Sequence, residues 1–254
     1  MKKLQYYCTS LIKSMKIIVD AGNSYIKVFF LSSQTVTKKI QFSYAEIALF
    51  VLEMQTHAHL PIIISDVSGR IDTSILSQLP SHYFLFSHSH AVPITIEYQT
   101  ISTLGLDRIA NAVGSVTLRP NTNKLIIDIG TAITIDFVDA NNTFKGGVIS
   151  PGMHTRFDAL HSKTGNLPLV AKDEKIYLHA NTTESAIQSG VIQGIVFEIR
   201  KYIETYNTIY PDIKVFLCGG DAFFFEKFLK KRIFAEPNLL AIGIQTIYTY
   251  NVTN

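Results

Sequence analysis

The chain contains IIVDAGNS at residues 17–24 and repeats it in altered form as LIIDIGTA at residues 125–132. In both copies a short apolar run is followed by Asp, a free position, Gly and two small residues. A second β-prone run follows each copy, at residues 25–31 and 133–138. This order predicts a strand, a tight turn with an acid at its start, and another strand. Because the order recurs, a repeated functional turn is favoured over an ordinary polar hairpin.

The turn residues are suited to bind a nucleoside triphosphate. Gly22 and Gly130 can take positive φ and allow a ligand close to the backbone. Short polar side chains beside freed backbone N–H groups fit phosphate oxygens. These side chains are Asn23, Ser24 and Thr131. Asp20 and Asp128 end their strands, where a carboxylate suits Mg²⁺ or its bound water. Lys27 lies on the strand face opposite the aliphatic row and is expected to reach toward phosphate, so we predict an enzyme of phosphoryl transfer.

The composition indicates a protein with a sizeable buried core. Of the 254 residues, 47% are hydrophobic, and the formal net charge of +3 gives little sign of a nucleic-acid surface. No run approaches the roughly 20 apolar residues that a membrane-spanning helix needs. The two cysteines, Cys8 and Cys218, form no disulfide framework, which agrees with a reducing cytoplasm. We therefore expect a cytoplasmic protein whose partners include neither nucleic acid nor membrane.

The repeated motif divides the chain into two halves. We expect an N-terminal half over residues 15–120 and a C-terminal half over residues 121–254, while residues 1–14 are interpreted as an extension outside the fold. Further strands are expected at 61–65, 83–86, 93–98, 143–150 and 214–218, and helices at 71–79, 107–118, 184–206, 222–231 and 239–250. This alternation predicts a duplicated α/β fold with the site in the cleft between the halves.

Four motifs occur in a fixed order along the chain: DAGNSYIK at 20–27, GLDR at 105–108, DIGTA at 128–132 and GGVISPG at 146–152. In this order they resemble the type III pantothenate kinases, which belong to the acetate and sugar kinase, Hsp70 and actin superfamily. The resemblance implies a duplicated actin-like (ribonuclease H-like) fold, in which two halves have mixed sheets flanked by helices. It also implies ATP-dependent phosphorylation of pantothenate to 4'-phosphopantothenate, the first step of coenzyme A biosynthesis.

The GLDR motif contains the candidate catalytic base. Asp107 is expected to accept the proton of the attacking hydroxyl group, and the start of a helix keeps its carboxylate ionised. A simple helix cap is the alternative for Asp107 on sequence grounds. Arg108 offers a planar guanidinium group that can bind the carboxylate of pantothenate. The alternative is that Arg108 is an ordinary surface arginine. The resemblance adds Tyr98, Gly105 and Leu106 to the substrate-binding residues.

The two acidic turns contain the residues that the resemblance assigns to the nucleotide and the ions. The ATP-binding set is Asp20, Ala21, Gly22, Asn23, Ser24, Lys27 and Thr131. Asp20 is also expected to bind Mg²⁺ through ATP, and Asp128 to bind a monovalent cation, K⁺ or NH₄⁺. The turn GGD at 219–221 is similar to one that passes near adenosine in this family, although a helix cap explains it about equally well.

The long helix predicted after residue 182 is expected to take part in a homodimer. In the resembling family a threonine at this place reaches across the dimer to the substrate, and Thr183 is assigned this role. Thr182 is the close competitor, and capping of the helix is an alternative for either residue. Gly190 and Gly194 permit a close approach of helices, so part of this helix is expected to form the dimer contact, although internal packing is the commoner role.

Two alternatives remain open from the sequence. The chain could be a nucleotide-binding accessory or regulatory protein that has kept the fold without catalysis. It could also be a kinase for another small acidic alcohol, because Arg108 beside Asp107 favours an acidic substrate without identifying it. The presence of all the proposed acids argues against the first alternative.

Overall fold

The structure of the protein is a computed structural model that describes residues 15–229 and 233–253. The expected extension at 1–14 and the end of the helix expected at 222–231 lie outside the described residues. The chain forms two compact units: unit 1 extends to Leu118 and includes the final segment from Asn238, and unit 2 comprises Arg119–Pro237.

Strands and helices alternate along both units. In chain order the elements are β1 Met15–Ala21, β2 Tyr25–Ser32, β3 Thr35–Ser43, α1 Ile47–Thr56, β4 Ile62–Asp66, α2 Thr73–Leu76, β5 Tyr83–Phe86, β6 Thr95–Ile96, α3 Leu106–Leu118, β7 Lys124–Ile129, β8 Ala132–Val138, β9 Thr143–Pro151, α4 Met153–Lys163, α5 Thr183–Ile209, β10 Lys214–Cys218, α6 Ala222–Leu229, β11 Ile233–Ala235 and α7 Leu239–Thr253. Short 3₁₀ turns lie at Tyr44–Glu46 and Ile101–Thr103.

The two units share one sheet topology. In unit 1 the strand order is β3-β2-β1-β4-β5, with β1 to β3 antiparallel and with β4 and β5 parallel to β1. In unit 2 the order β9-β8-β7-β10-β11 repeats this pattern of directions. Each unit thus begins with the motif hairpin and places the first strand of that hairpin at the centre of a mixed sheet. The duplicated, actin-like fold expected from the sequence is confirmed.

Successive side chains of β1 point to opposite faces of the sheet. One face is apolar along the whole strand, and the other ends in a polar residue. Ile17, Val19 and Ala21 belong to an apolar cluster that includes Phe50 and Met54 of α1, and all five are 0% exposed. Burying each large side chain of this kind stabilises the fold by about 1.5–3 kcal/mol. Alternate residues of β1 face the other side of the sheet, and the last of them is the acid of the first motif.

Helices α3 and α7 cross closely within unit 1 because glycines lie at the crossing. A Cβ atom built on Gly243 would lie 1.8 Å from the backbone O of Ala110, and one on Gly114 would lie 2.3 Å from the backbone O of Leu239. The two backbones therefore pack directly on each other. Through this contact the last helix is grouped with unit 1, whereas the sequence placed it in the C-terminal half expected at 121–254.

Helix α5 contributes one side to the core of unit 2. Its buried aliphatic row comprises Ile187, Val191, Ile195 and Ile199. The i, i+4 spacing of this row therefore reflects internal packing, which was the commoner interpretation of such a pattern. Gly190, Gly194 and Phe197 lie on other positions of the helix, and Phe197 is 57% exposed. These positions face away from the core of unit 2 and are open to a contact with a second chain.

Strand β7 begins with a fully buried lysine. Lys124 is 0% exposed, and its Nζ donates hydrogen bonds to the carbonyl of Thr122 at 2.7 Å and to Asn142 Oδ1 at 3.1 Å. Burial lowers the pKa of Lys124 to about 8, against a smaller opposing effect of Asp139. The ammonium group thus joins the segment before β7 to the turn before β9.

We expect the protein to gain stability relative to a Lys124→Met variant as the pH rises above 8. Below that pH, Lys124 is protonated in both the folded and the unfolded chain, because its folded pKa is about 8. Between pH 8 and its ordinary pKa of 10.5, mainly the unfolded chain holds the proton, so rising pH favours folding. By about pH 9.5 the gain should reach about 1.5 kcal/mol, measured by urea unfolding. A difference between the two proteins that stays constant with pH would contradict this.

Within residues 15–229 and 233–253, no helix is both long enough and apolar enough to span a bilayer.

Candidate functional site

The first acidic turn is a short hairpin that connects β1 and β2. The N–H of Gly22 donates to the carbonyl of Tyr25 at 3.1 Å, and Asp20 pairs with Lys27 across the two strands. Lys27 Nζ lies 3.6 Å from Asp20 Oδ2. The predicted phosphate-binding lysine thus forms an ion pair with the acid of its own turn. Asn23 and Ser24 are exposed at the tip, as expected for residues that meet a ligand.

Ala21 differs from its neighbours in this turn. Its side chain is fully buried in the apolar cluster of unit 1. Its carbonyl accepts hydrogen bonds from the N–H groups of Val67 at 3.1 Å and Ser68 at 3.3 Å. Ala21 therefore supports the turn from below, while the exposed polar groups are supplied by the residues that follow it.

The carboxyl group of Asp20 lies in a strongly perturbed environment. The residue is 5% exposed. Burial raises the pKa of Asp20, the Lys27 ammonium lowers it, and the Asp107 carboxylate raises it. Asp20 and Asp107 both belong to unit 1, and the candidate general base is among the charges that act on the acid of the first turn.

The GLDR motif begins helix α3, and its glycine makes room for its acid. Leu106 is the first residue of the helix and is buried, and Asp107 is half-buried in the first turn. Asp107 Oδ1 accepts a hydrogen bond from the N–H of Arg108 at 2.8 Å. A Cβ atom on Gly105 would lie 2.3 Å from Asp107 Oδ1. Glycine is therefore needed at 105 for the carboxylate to hold this position.

Arg108 and Tyr98 lie together, as the substrate-site prediction requires. The guanidinium carbon of Arg108 is 5.6 Å from the centroid of the Tyr98 ring. Arg108 is 5% exposed, so the surface-arginine interpretation is wrong for this residue. A buried guanidinium next in sequence to the candidate general base is suited to pair with an anionic group of a substrate.

The second acidic turn is held by the last glycine of the GGVISPG motif. The N–H of Gly130 donates to the carbonyl of Ala132 at 2.9 Å, and the N–H of Gly152 donates to the carbonyl of Thr131 at 3.0 Å. A Cβ atom on Gly152 would lie 1.9 Å from the backbone O of Gly130. The motif thus packs on the turn directly, and Thr131 remains exposed at its tip.

Asp128 lies against the GGD turn of unit 2. A Cβ atom on Gly219, whose φ is +96°, would lie 2.4 Å from Asp128 Oδ1. The N–H of Asp221 donates to the carbonyl of Ile129 at 2.9 Å. Asp221 Oδ1 in turn lies 3.4 Å from Lys172 Nζ. The GGD turn is therefore part of the same corner of unit 2 as the second acidic turn, and Gly219 is required there.

The donor groups fit a divalent cation that arrives with a nucleotide. Within the described ranges, no group of three or more His, Cys, Asp and Glu side chains could hold a metal ion. Mg²⁺ commonly uses one or two protein carboxylates and takes its other ligands from water and phosphate. Asp20, a nearly buried carboxylate next to a polar turn, matches that requirement. Asp128 offers one half-buried carboxylate in unit 2, which suits a singly charged cation.

The structure separates the roles of the two threonines before α5. Thr182 is the N-cap residue, and its Oγ1 accepts a hydrogen bond from the N–H of Ser185 at 3.1 Å. Thr183 is the first residue of the helix and is exposed, and its side chain makes no hydrogen bond with any described residue. Capping therefore accounts for Thr182 and leaves Thr183 as the candidate for a contact outside its own chain.

Sequence reasoning missed the residues that surround the first turn. Tyr44 Oη donates to the carbonyl of Gly22 at 2.6 Å and lies 2.8 Å from Ser68 Oγ. Lys39 adds a second cation, and its pKa is lowered by burial and by Lys27 and raised by Asp20. No local motif marks Tyr44 or Lys39. Ser68 could have been found from the repeat. It follows β4 in unit 1, at the place where the GGD turn follows β10 in unit 2.

Comparisons with known proteins identify the family that this sequence matches. The sequence model of the type III pantothenate kinase family matches residues 16–205. The type III pantothenate kinase of Cytophaga hutchinsonii is 41% identical over 240 residues, which are 94% of this chain and 100% of the relative. Another relative of that description, from Azobacteroides pseudotrichonymphae, is 38% identical over 93% of this chain and 97% of its own length.

Solved structures show similarity in fold alone. A protein described as a Baf family transcriptional activator from Campylobacter jejuni has a TM-score of 0.61 and 21% identity, over 94% of this chain and 100% of its own. An inorganic polyphosphate/ATP-glucomannokinase from an Arthrobacter strain has a TM-score of 0.50 and 13% identity, over 94% of this chain and 99% of its own.

Proposed function

Because the chain belongs to the type III pantothenate kinase family, we propose that it phosphorylates pantothenate from ATP with Asp107 as the general base. The enzyme is a kinase, and the product 4'-phosphopantothenate starts coenzyme A biosynthesis. The observation that supports the base is the place of Asp107 in the first turn of α3, where Gly105 leaves room for its carboxylate, while Asp20 belongs to the strand that leads into the phosphate-binding turn. Phosphoryl transfer needs a positioned phosphate chain and an acceptor for the proton of the attacking hydroxyl, and these two residues supply one each.

In the proposed reaction the pantothenate hydroxyl gives its proton to a carboxylate oxygen of Asp107 as its oxygen attacks the γ-phosphorus. The bond from that phosphorus to the β–γ bridging oxygen breaks, and ADP leaves. Gly105 keeps the carboxylate of Asp107 in place, since any side chain at 105 would displace it. Arg108 and Tyr98 hold the far end of the substrate, with the guanidinium facing its carboxylate.

The first turn is proposed to bind the triphosphate. Asn23, Ser24 and the N–H groups near Gly22 surround the phosphate oxygens, and Lys27 exchanges its ion pair with Asp20 for phosphate. Mg²⁺, when bound with ATP, neutralises the charge that develops on the phosphate oxygens. Asp20 would accept hydrogen bonds from the waters of that ion. In unit 2, Thr131 is proposed as a further ATP contact and Asp128 as the ligand of K⁺ or NH₄⁺.

A homodimer is proposed to complete the substrate site through Thr183. The surface that we assign to it, the α5 stripe, consists of Gly190, Gly194 and Phe197. Strand β9 lies beside α5, because Ser150 donates a hydrogen bond to Glu198, and Ile149 of this strand is also 63% exposed. The glycines admit a second helix closely, and the two exposed apolar side chains give such a contact an apolar centre.

Replacing Phe197 with Asp should convert the dimer into monomers, because it places a charge at the centre of an apolar contact. We expect the dissociation constant of the dimer to rise at least about 100-fold, the range of a hot-spot loss. Sedimentation velocity over a concentration series measures it. Ile209→Asp is the matched control, since Ile209 is on the same helix and 60% exposed but outside the stripe. An active monomer of the unchanged protein would refute the dimer proposal.

The proposed function is tested by the consumption of ATP over a panel of small alcohols. We expect ADP formation with pantothenate and a dependence on K⁺ or NH₄⁺, with little turnover of alcohols that lack a carboxylate. Phosphorylation of a different acidic alcohol in preference to pantothenate would favour the second alternative. Binding of ATP without turnover of any alcohol would favour a nucleotide-binding regulator.

A further inference from the structure

Ser65 places a fully buried hydroxyl group beside Asp20. The residue is near the end of β4, in register with Asp20 on β1, and is 0% exposed. In-register residues of neighbouring parallel strands lie about 4.8 Å apart and direct their side chains to the same face of the sheet. Ser65 Oγ has no hydrogen-bond partner among the described residues.

A buried hydroxyl group without a partner is unusual enough to require an explanation. Native proteins satisfy nearly all buried polar atoms, because leaving one unpaired is costly. The fold does not need a hydroxyl here: Cys218 is the equivalent residue of unit 2, buried and in register with Asp128. The small thiol side chain of Cys218 therefore occupies this position in unit 2, whereas unit 1 has the hydroxyl group of Ser65.

The strand order places Ser65 and Lys27 on opposite sides of Asp20. Lys27 approaches from β2 and reaches Oδ2 of the carboxylate, while Ser65 lies on β4, the other neighbour of β1. If Lys27 turns toward phosphate, Asp20 loses its nearest cation. A hydroxyl donor on the other side is then the group that can keep the carboxylate oriented.

We propose that Ser65 is a positioning residue for the nucleotide: its hydroxyl donates a hydrogen bond to the Asp20 carboxylate, directly or through one water, when MgATP is bound. This inference rests on the proposed function of the first turn. It gives the buried hydroxyl group an acceptor, because a carboxylate takes several hydrogen bonds and Asp20 can accept one from β4 when Lys27 on β2 turns toward phosphate.

The variant Ser65→Ala tests the proposal. We expect the KM for MgATP to rise about tenfold or more, the value of a hydrogen bond to a charged group, and the KM for pantothenate to change less than twofold. Calorimetry should show the same weakening for ATP binding with Mg²⁺ and little change with EDTA. The melting temperature of the ligand-free protein should stay the same or rise by about 2 °C, because an unsatisfied hydroxyl is removed.

Two further variants make the comparison specific. Ser65→Cys keeps the volume of the side chain and a weak donor, and it copies the residue of unit 2, so its effect should be intermediate. Ser115→Ala is the matched control: Ser115 is also 0% exposed in unit 1, but its Oγ donates to the carbonyl of Ala112 at 2.7 Å. It should leave both KM values unchanged.

Equal binding of MgATP by Ser65→Ala and the unchanged protein would overturn the proposal, as would a loss that is the same with EDTA. If Ser65→Ala fails to fold, Ser65→Cys provides the same comparison. Failure of the proposed function would look different: the unchanged protein would bind MgATP without phosphorylating pantothenate, and the calorimetric comparison would still decide the role of Ser65.

Discussion

Replacing Asp107 with Asn is expected to lower kcat by about 10²- to 10⁴-fold, the usual contribution of a general base. Asparagine keeps the shape of the side chain but cannot accept the proton of the attacking hydroxyl. The KM values for ATP and pantothenate should change only a few-fold, because the binding groups around residue 107 remain. Initial rates of ADP formation at saturating substrates measure the effect.

The matched control for this substitution is Asp158→Asn, which removes an exposed carboxylate from α4 in unit 2. It should leave kcat unchanged. Circular dichroism and a melting curve of Asp107→Asn should match those of the unchanged protein. A folded Asp107→Asn enzyme with near-normal turnover would eliminate Asp107 as the base.

Replacing Gly243 with Val should destabilise the protein by at least about 3 kcal/mol, the upper range for an overpacked core. A side chain there would meet the backbone carbonyl of Ala110, 1.8 Å from the position of the new Cβ. Backbone cannot move aside as the end of a flexible side chain can, so α3 and α7 must separate. Urea unfolding measures the loss, and activity should fall with it because α3 contains Asp107.

Gly165→Val serves as the control for this change, because a Cβ atom at Gly165 has no heavy atom within 4 Å. Its effect should be within about 0.5 kcal/mol, as for most exposed positions. The prediction for Gly243 would fail if the two variants unfolded at similar denaturant concentrations.

The parts of the fold that local sequence encodes were predicted well. Both motif hairpins form, and the strands expected at 83–86 and 214–218 have those bounds. Helix α3 begins at Leu106, one residue before its expected start. In each case an apolar run ends at a polar turn or a helix start, so neighbouring residues decide the boundary.

Elements whose position depends on distant partners could not be predicted. Strand β3 is mostly exposed and contains two adjacent lysines, so it lacks the apolar alternation of a half-buried strand, and its pairing with β2 defines it. Helices α1 and α4 were not anticipated either. The placement of α7 in unit 1 depends on Gly114 and Gly243, which are far apart in sequence.

The candidate site shows the same division. Motif order selects Asp20, Asp107 and Arg108 as candidates, since each belongs to a short pattern with a chemical reason. The residues beside them, Tyr44 and Ser65, reach the site through a 3₁₀ turn and through strand register. No spacing along the chain relates either residue to Asp20, and only the folded sheet does so.

The return of α7 to unit 1 has a consequence for protein synthesis. The helix that contains Asp107 is made early, but its glycine-lined partner is made only after the whole of unit 2. At about 5–20 residues per second, the 119 residues of Arg119–Pro237 delay that partner by roughly 10 s. During this interval unit 1 of the nascent chain lacks α7, and the surface of α3 that packs against α7 is uncovered. A chain that stalls on the ribosome before Asn238 would therefore lack part of unit 1, even though Asp20 and Asp107 had already been translated.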